Sequence, residues 1–317
     1  MVVVAIAGGF GDLGQQFSQA IKATGKHEII VLKRKGGTSK DLPGFDVAGV
    51  DYSDIASLTT LLDERKVHTI VSALGVHWED AANNQVNLIK AAAKSEHVKR
   101  FLPAEYTFDY APTHDLKPFY CKEYTDANRK ALALTDLEWT ILYTSQFLDY
   151  FGLPNMPTTM NGIYLLLDIP NKVAVLPGDG TATINVVLTT DAAKFVAALL
   201  DLPKWDPVYN LVGDSMTLNE AVKTAERATG AKFKVTYDSL ENLYNGSPIL
   251  LPGNEEIFKN WQIERDSTIQ FCAAISVGIA KGSADVSRQG TSLNKIFPDM
   301  KTVKAEEYIR LCFPNGV

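Results

Sequence analysis

Three glycines near the amino terminus carry the first recognisable chemistry. In Gly9-Phe10-Gly11-Asp12-Leu13-Gly14 they have the spacing of a loop whose backbone lies against a dinucleotide pyrophosphate. A residue without a side chain lets the main chain come that close, and the free N–H groups of the helix that follows meet the phosphate charge. Gly8 offers a second reading, Gly8-x-x-Gly11-x-x-Gly14, and leaves open which glycine makes the turn. About twenty residues beyond Gly14, where a carboxylate would bind a ribose 2′-hydroxyl, stand Arg34 and Lys35. A guanidinium grips phosphate oxygens bidentately, so this pair favours a 2′-phosphate and therefore NADPH/NADP over NADH.

Those residues need a scaffold that brings strand ends together, and the chain supplies one. Short β-branched runs (Val2–Ala7, Glu28–Lys33, Asp46–Val50, His68–Leu74, Val98–Leu102, Trp139–Tyr143) alternate with helical patterns. Leu13, Phe17 and Ile21 share one helical face, and further helices are expected near 55–62, 80–94 and 118–134. Right-handed crossovers then give an α/β fold, a Rossmann-type doubly wound parallel sheet. Ligands in such sheets sit beyond the carboxyl ends of the strands, which adds Asp51 and Ser72-Ala73-Leu74-Gly75 to the cofactor wall. After Tyr150 the pattern loosens, so residues 1–150 form the NADP(H)-binding domain. Residues 151–317 form a smaller mixed α/β substrate domain, with about 185–202 returning to the first.

Composition narrows the function further. Thirty-one Lys and Arg against 37 Asp and Glu give a net charge of −6 with no basic cluster, which argues against nucleic acid as a partner. No apolar stretch reaches the length of a membrane span. Three cysteines, Cys121, Cys272 and Cys312, form no Cys-x-x-Cys pair, which points to a reducing, cytoplasmic setting and to no metal. Phe147, Tyr150 and Phe151, beside Ser145 and Gln146, either stack on a flat aromatic substrate or fill a domain interface. His77 and His114 lie in loops as candidate general acids.

The glycine loop, Arg34, Val98-Lys99-Arg100-Phe101-Leu102-Pro103-Ala104-Glu105-Tyr106, Gly178-Asp179-Gly180-Thr181 with Asp191, and Tyr209-Asn210-Leu211 together resemble the NmrA-like and isoflavone-reductase-like group of atypical short-chain dehydrogenases/reductases. The resemblance covers positions 1 to about 240. It implies an NADPH-dependent reductase of aromatic secondary metabolites, working as a monomer or homodimer, with Pro103, Ala104 and Glu105 at the cofactor and Tyr106 towards the substrate. It also implies a lysine at the start of the helix after the fifth strand, which falls on Lys122, touching the cofactor and assisting proton transfer. A solvated lysine paired with Asp126 is the competing reading of Lys122. The short-chain dehydrogenase Tyr-x-x-x-Lys is absent, because Pro118 stands four residues before Lys122, and Tyr120 is the second-rank proton donor. One branch of the group binds the dinucleotide without turnover and contacts a transcription factor, which is the alternative function.

Overall fold

The computed structural model describes residues 1–36, 42–111, 121–261 and 265–317. They fall into two units: Met1–Tyr106 with Glu123–Leu142 and Ala192–Tyr209, and Thr107–Lys122 with Tyr143–Asp191 and Asn210–Val317.

The first unit is built on β1 (Val3–Ala7), β2 (Glu28–Arg34), β3 (Asp46–Val50), β4 (Val67–Ser72), β5 (Arg100–Leu102) and β6 (Glu138–Trp139), in spatial order β3-β2-β1-β4-β5-β6. All neighbours pair in parallel. Runs such as Val-Val-Ala-Ile-Ala in β1 are buried along nearly their whole length, as a sheet covered on both faces requires. Helices α1 (Asp12–Ala23), α2 (Ile55–Glu64), α3 (Glu79–Lys94) and α4 (Cys121–Ala133) connect the strands. Phe17 and Ile21 of α1 are buried, and Asp54 caps α2 by accepting the Ser57 N–H. Strand order reverses between β1 and β4, and in such sheets the crevice beyond that switch point is where ligands bind.

The expected single strand Trp139–Tyr143 is broken at Thr140. Glu138 and Trp139 pair with Arg100 and Phe101, whereas the Ile141 N–H donates to the Pro207 carbonyl (3.1 Å), so the chain leaves the sheet there.

The second unit holds two three-stranded sheets. One orders Lys234–Asp238, Val173–Pro177 and Leu167–Asp168; the other orders Asp214–Thr217, Thr183–Val187 and Gln146–Phe147. Helix Leu218–Thr229 begins in a capping box between Thr217 and Glu220 and ends on left-handed Gly230. Helix Arg265–Ala280 is buried over most of its second half. Among the described residues no helix is long and apolar enough to cross a membrane.

Candidate active site: a phosphate-binding cleft and an aromatic segment

At the carboxyl ends of β1, β2 and β4 the first unit opens a cleft of about 460 Å³. Gly8, Phe10 and Gly11 form one wall, Leu32, Lys33 and Arg34 a second, and Ala73, Leu74 and Gly75 a third. The open choice among the glycines is resolved by the backbone. Gly8 is the turn residue, with φ of +74°, and a Cβ there would lie 2.6 Å from the Ala73 carbonyl oxygen. Gly9 has a negative φ and is tight for another reason, since its Cβ would meet the Val31 side chain at 2.7 Å.

Gly14 is the close-packing glycine, because a Cβ there would stand 2.2 Å from the Gly8 oxygen. The Gly11 N–H donates to that same oxygen at 2.9 Å. Gly11 is the N-cap of α1 and no side chain caps the helix, so its first-turn N–H groups lack the acceptor that a Ser or Asp would provide. Asp12 and Leu13 open the helix outside the cleft lining.

Arg34 ends β2 exposed on the cleft wall, opposite Val50 in register. Lys33 places its ammonium 5.1 Å from the Phe10 ring centre, a cation–π contact that adds a second positive charge. Lys35 and Asp51, by contrast, lie outside this cleft. The Lys35 N–H continues the sheet to the Val50 carbonyl, and the Asp51 carboxylate accepts from the Ser53 hydroxyl and N–H (2.6 and 2.9 Å), which hold its pKa below the usual range. Asp51 is thus spent on the turn into α2 and faces a separate depression with Ser57 and Glu64.

Tyr52, Trp78, Asp80, Ala81 and Asn84 also line the cleft and were not legible as such. Tyr52 is buried, and burial raises the pKa of its hydroxyl. Trp78, half exposed just before α3, and Asn84 line the opposite side. Their signal was topological: a doubly wound sheet places the residues after β3 and the first turns of the helix after β4 at the same crevice.

At the end of β5, residues expected at cofactor and substrate are tied to protein partners. The Ala104 N–H donates to Gln85 Oε1 (3.0 Å). Glu105 is 3% exposed and accepts from Arg129 Nε and Nη2 (2.8 and 2.6 Å), which fastens α4 to the strand end. Pro103, just before them in sequence, is buried as well, and none of the three lines the cleft. Tyr106, expected to face substrate, is buried. Its hydroxyl donates to the Ser72 carbonyl (2.8 Å) and its ring meets Phe17 edge-on at 4.9 Å, so it braces the sheet, and Ser72 below it is fully covered. Burial also pushes the Tyr106 hydroxyl well above its ordinary pKa.

Lys122 lies in the first turn of α4, two helical turns before Arg129. Tyr120 and His114 lie outside the described residues. Burial holds the His77 imidazole down at about 4, so it is neutral at physiological pH.

In the second unit, Ser145 and Phe151 are buried, and the Ser145 hydroxyl donates to the Ala284 carbonyl (2.8 Å). Phe147 and Tyr150 make an edge contact, ring centres 6.5 Å apart at 67°. Gln146 differs from these: it is buried and neither amide atom has a hydrogen-bond partner among the described residues. The second-unit motifs that carried the resemblance are architectural. Gly178 and Gly180 have positive φ in the turn before Thr183–Val187, Asp179 accepts from Thr181, and Asp191 accepts from the Val303 N–H.

Comparison with known proteins agrees with this architecture. The NmrA-like family model matches residues 2–269. An oxidoreductase named BOA1 from Botryotinia fuckeliana is 36% identical over 235 residues, 74% of this chain and 78% of that one. Oxidoreductase swnN from Metarhizium robertsii is 29% identical across 98% and 97% of the two lengths. Among solved structures, AtPrR2 with NADP+ and (+)pinoresinol superposes over 98% of both chains with a TM-score of 0.76 at 23% identity, which speaks to the fold. With a family model matched over most of its length and a relative more than a third identical, the chain belongs to the NmrA-like family.

Proposed function

We propose that the protein is an NADPH-dependent reductase of a small aromatic metabolite, cytoplasmic and working as a monomer or homodimer. The observation that carries the cofactor is the cleft itself. Gly8 turns the chain, Gly14 lets α1 pack on that turn, Gly11 leaves the helix uncapped, and Arg34 stands on the wall where an NAD site would carry an acid. This donor set suits a pyrophosphate and a 2′-phosphate. Bound NADPH supplies a hydride from C4 of its nicotinamide.

The chain's own work is to hold the adenosine half through Arg34 and Lys33 and to take the pyrophosphate on the α1 amides. Lys122 handles the proton, either donating it or holding an oxyanion. The Arg129–Glu105 pair keeps α4, and so Lys122, in place. The relatives named oxidoreductases and the NADP+ and pinoresinol complex of a neighbour of the same fold support a catalytic reading and an aromatic substrate. They give no support to a non-catalytic sensor.

The test is NADPH consumption with a panel of phenolic enones and benzylic ethers. Lys122→Ala should lower kcat by about 100-fold or more while the NADPH dissociation constant changes little. Unchanged turnover in that variant removes Lys122 from the mechanism, and NADPH consumption by no member of the panel argues for the sensor.

A further inference from the structure

One carboxylate faces the cleft that the glycine loop and Arg34 prepare for phosphates. Asp80 stands exposed in the first turn of α3, and of the residues lining that cleft it is the one acid. Among the described residues no hydrogen bond or ion pair engages its side chain. An unpaired negative charge beside Lys33 and Arg34 weakens the hold on any phosphate there, unless it meets a hydrogen-bond donor of the same ligand.

The surroundings of Asp80 say which donor. With the pyrophosphate on the α1 amides and the 2′-phosphate on Arg34, the base is the part of the adenosine half still without a partner. Trp78, two residues before Asp80, is half exposed on the same lining, and a Cβ built on Gly75 would lie 3.7 Å from its Cδ1. An exposed indole beside Leu74 and Gly75 offers a flat surface to a planar ring. Asp51, the acid that the sequence places on the cofactor wall, is held by Ser53 and lines a separate depression, so it leaves the base without an acceptor.

We propose, building on the NADPH reading above, that Asp80 is the specificity-determining residue for the base of the dinucleotide. Its carboxylate accepts a hydrogen bond from the exocyclic amine of adenine, while the Trp78 indole covers the face of the same ring. That amine only donates, which suits a carboxylate. A keto oxygen in its place only accepts and would set two acceptors against each other, so hypoxanthine is refused.

The test reads binding rather than turnover. Dissociation constants are measured by calorimetry for NADPH and for its hypoxanthine analogue, in which a keto oxygen replaces the amine, on the full chain and on Asp80→Asn. The parent should bind NADPH at least about tenfold more tightly than the analogue, the discrimination of one charge-assisted hydrogen bond made or opposed. In Asp80→Asn the side-chain amide turns its NH2 to the keto oxygen. The analogue should therefore gain affinity and the preference fall to about twofold or less, while NADPH binds no more tightly than to the parent. A gain for one ligand is not what a damaged fold produces. With 2′,5′-ADP as a probe that carries the base and no nicotinamide, quenching of tryptophan emission seen in the parent should be lost in Trp78→Phe. Equal affinity of the parent for the two dinucleotides overturns the proposal, as does tighter NADPH binding by Asp80→Asn or quenching that survives in Trp78→Phe. Binding of neither dinucleotide by the parent tells instead against the NADPH reading on which it rests.

Discussion

The cleft of the first unit and the segment 144–151 of the second assign chemistry to opposite parts of the chain. In the proposed cofactor cleft the wall is backbone, and the residues that matter are those whose side chains must be absent: Gly8 against Ala73, Gly14 against Gly8. In the aromatic segment the backbone is committed to Thr107 and Val186, and the Ser145 hydroxyl to Ala284. A site made by the backbone constrains a short contiguous stretch of sequence tightly. One made by a side chain depends on partners nearly 140 residues away, as the Ser145–Ala284 bond does.

The difference has a direct consequence for substitution, and the largest expected effects fall in the cleft. Gly11→Val should abolish NADPH binding, by about 100-fold or more, because its side chain would stand where the backbone meets the pyrophosphate. Yet it should leave a folded unit, since its own Cβ meets only the Gly8 oxygen, at 3.2 Å. Gly14→Val should lose binding and thermal stability together, because its Cβ cannot fit beside Gly8. Calorimetry and thermal melts on the pair decide the matter. If both variants lose the same stability, Gly11 is a packing residue and the division of labour within the loop is wrong.

A smaller effect concerns His77. Its folded pKa of about 4 lies below the ordinary value, so the folded state refuses a proton that the unfolded chain accepts. The associated stability is present above about 6.5 and is lost as pH falls towards 4. His77→Asn should flatten the stability profile across that window by up to one proton, about 1.4 kcal/mol per pH unit. Identical profiles for the two proteins would show that burial does not control this imidazole.

What could be read in advance follows the same contrast. The βαβ alternation, the glycine loop and Arg34 were legible because each depends on local pattern and on one strand-to-helix turn. Lys35 and Asp51 were assigned by proximity in sequence to the sheet's carboxyl edge, but neither lines the cleft, and Asp51 faces the neighbouring depression, where it is consumed by Ser53. Tyr106 carries a hydroxyl suited to catalysis, and only the tertiary structure reveals that Ser72 has claimed it. Tyr52 and Trp78 reach the cleft by topology, a signal no window of the sequence contains. Gln146 stood among the candidates, but its distinction from Ser145 and Phe151 lies in an absence of partners that three-dimensional packing alone defines.

The central claim is that the first unit is built for a 2′-phosphorylated dinucleotide through Arg34. The measurement that addresses it directly is the dissociation constant for NADPH and for NADH, by calorimetry, on the parent and on Arg34→Ala. The account predicts that the parent binds NADPH at least about tenfold more tightly than NADH, and that Arg34→Ala loses most of that preference while its NADH affinity changes little. Equal affinities for the two dinucleotides in the parent would contradict it.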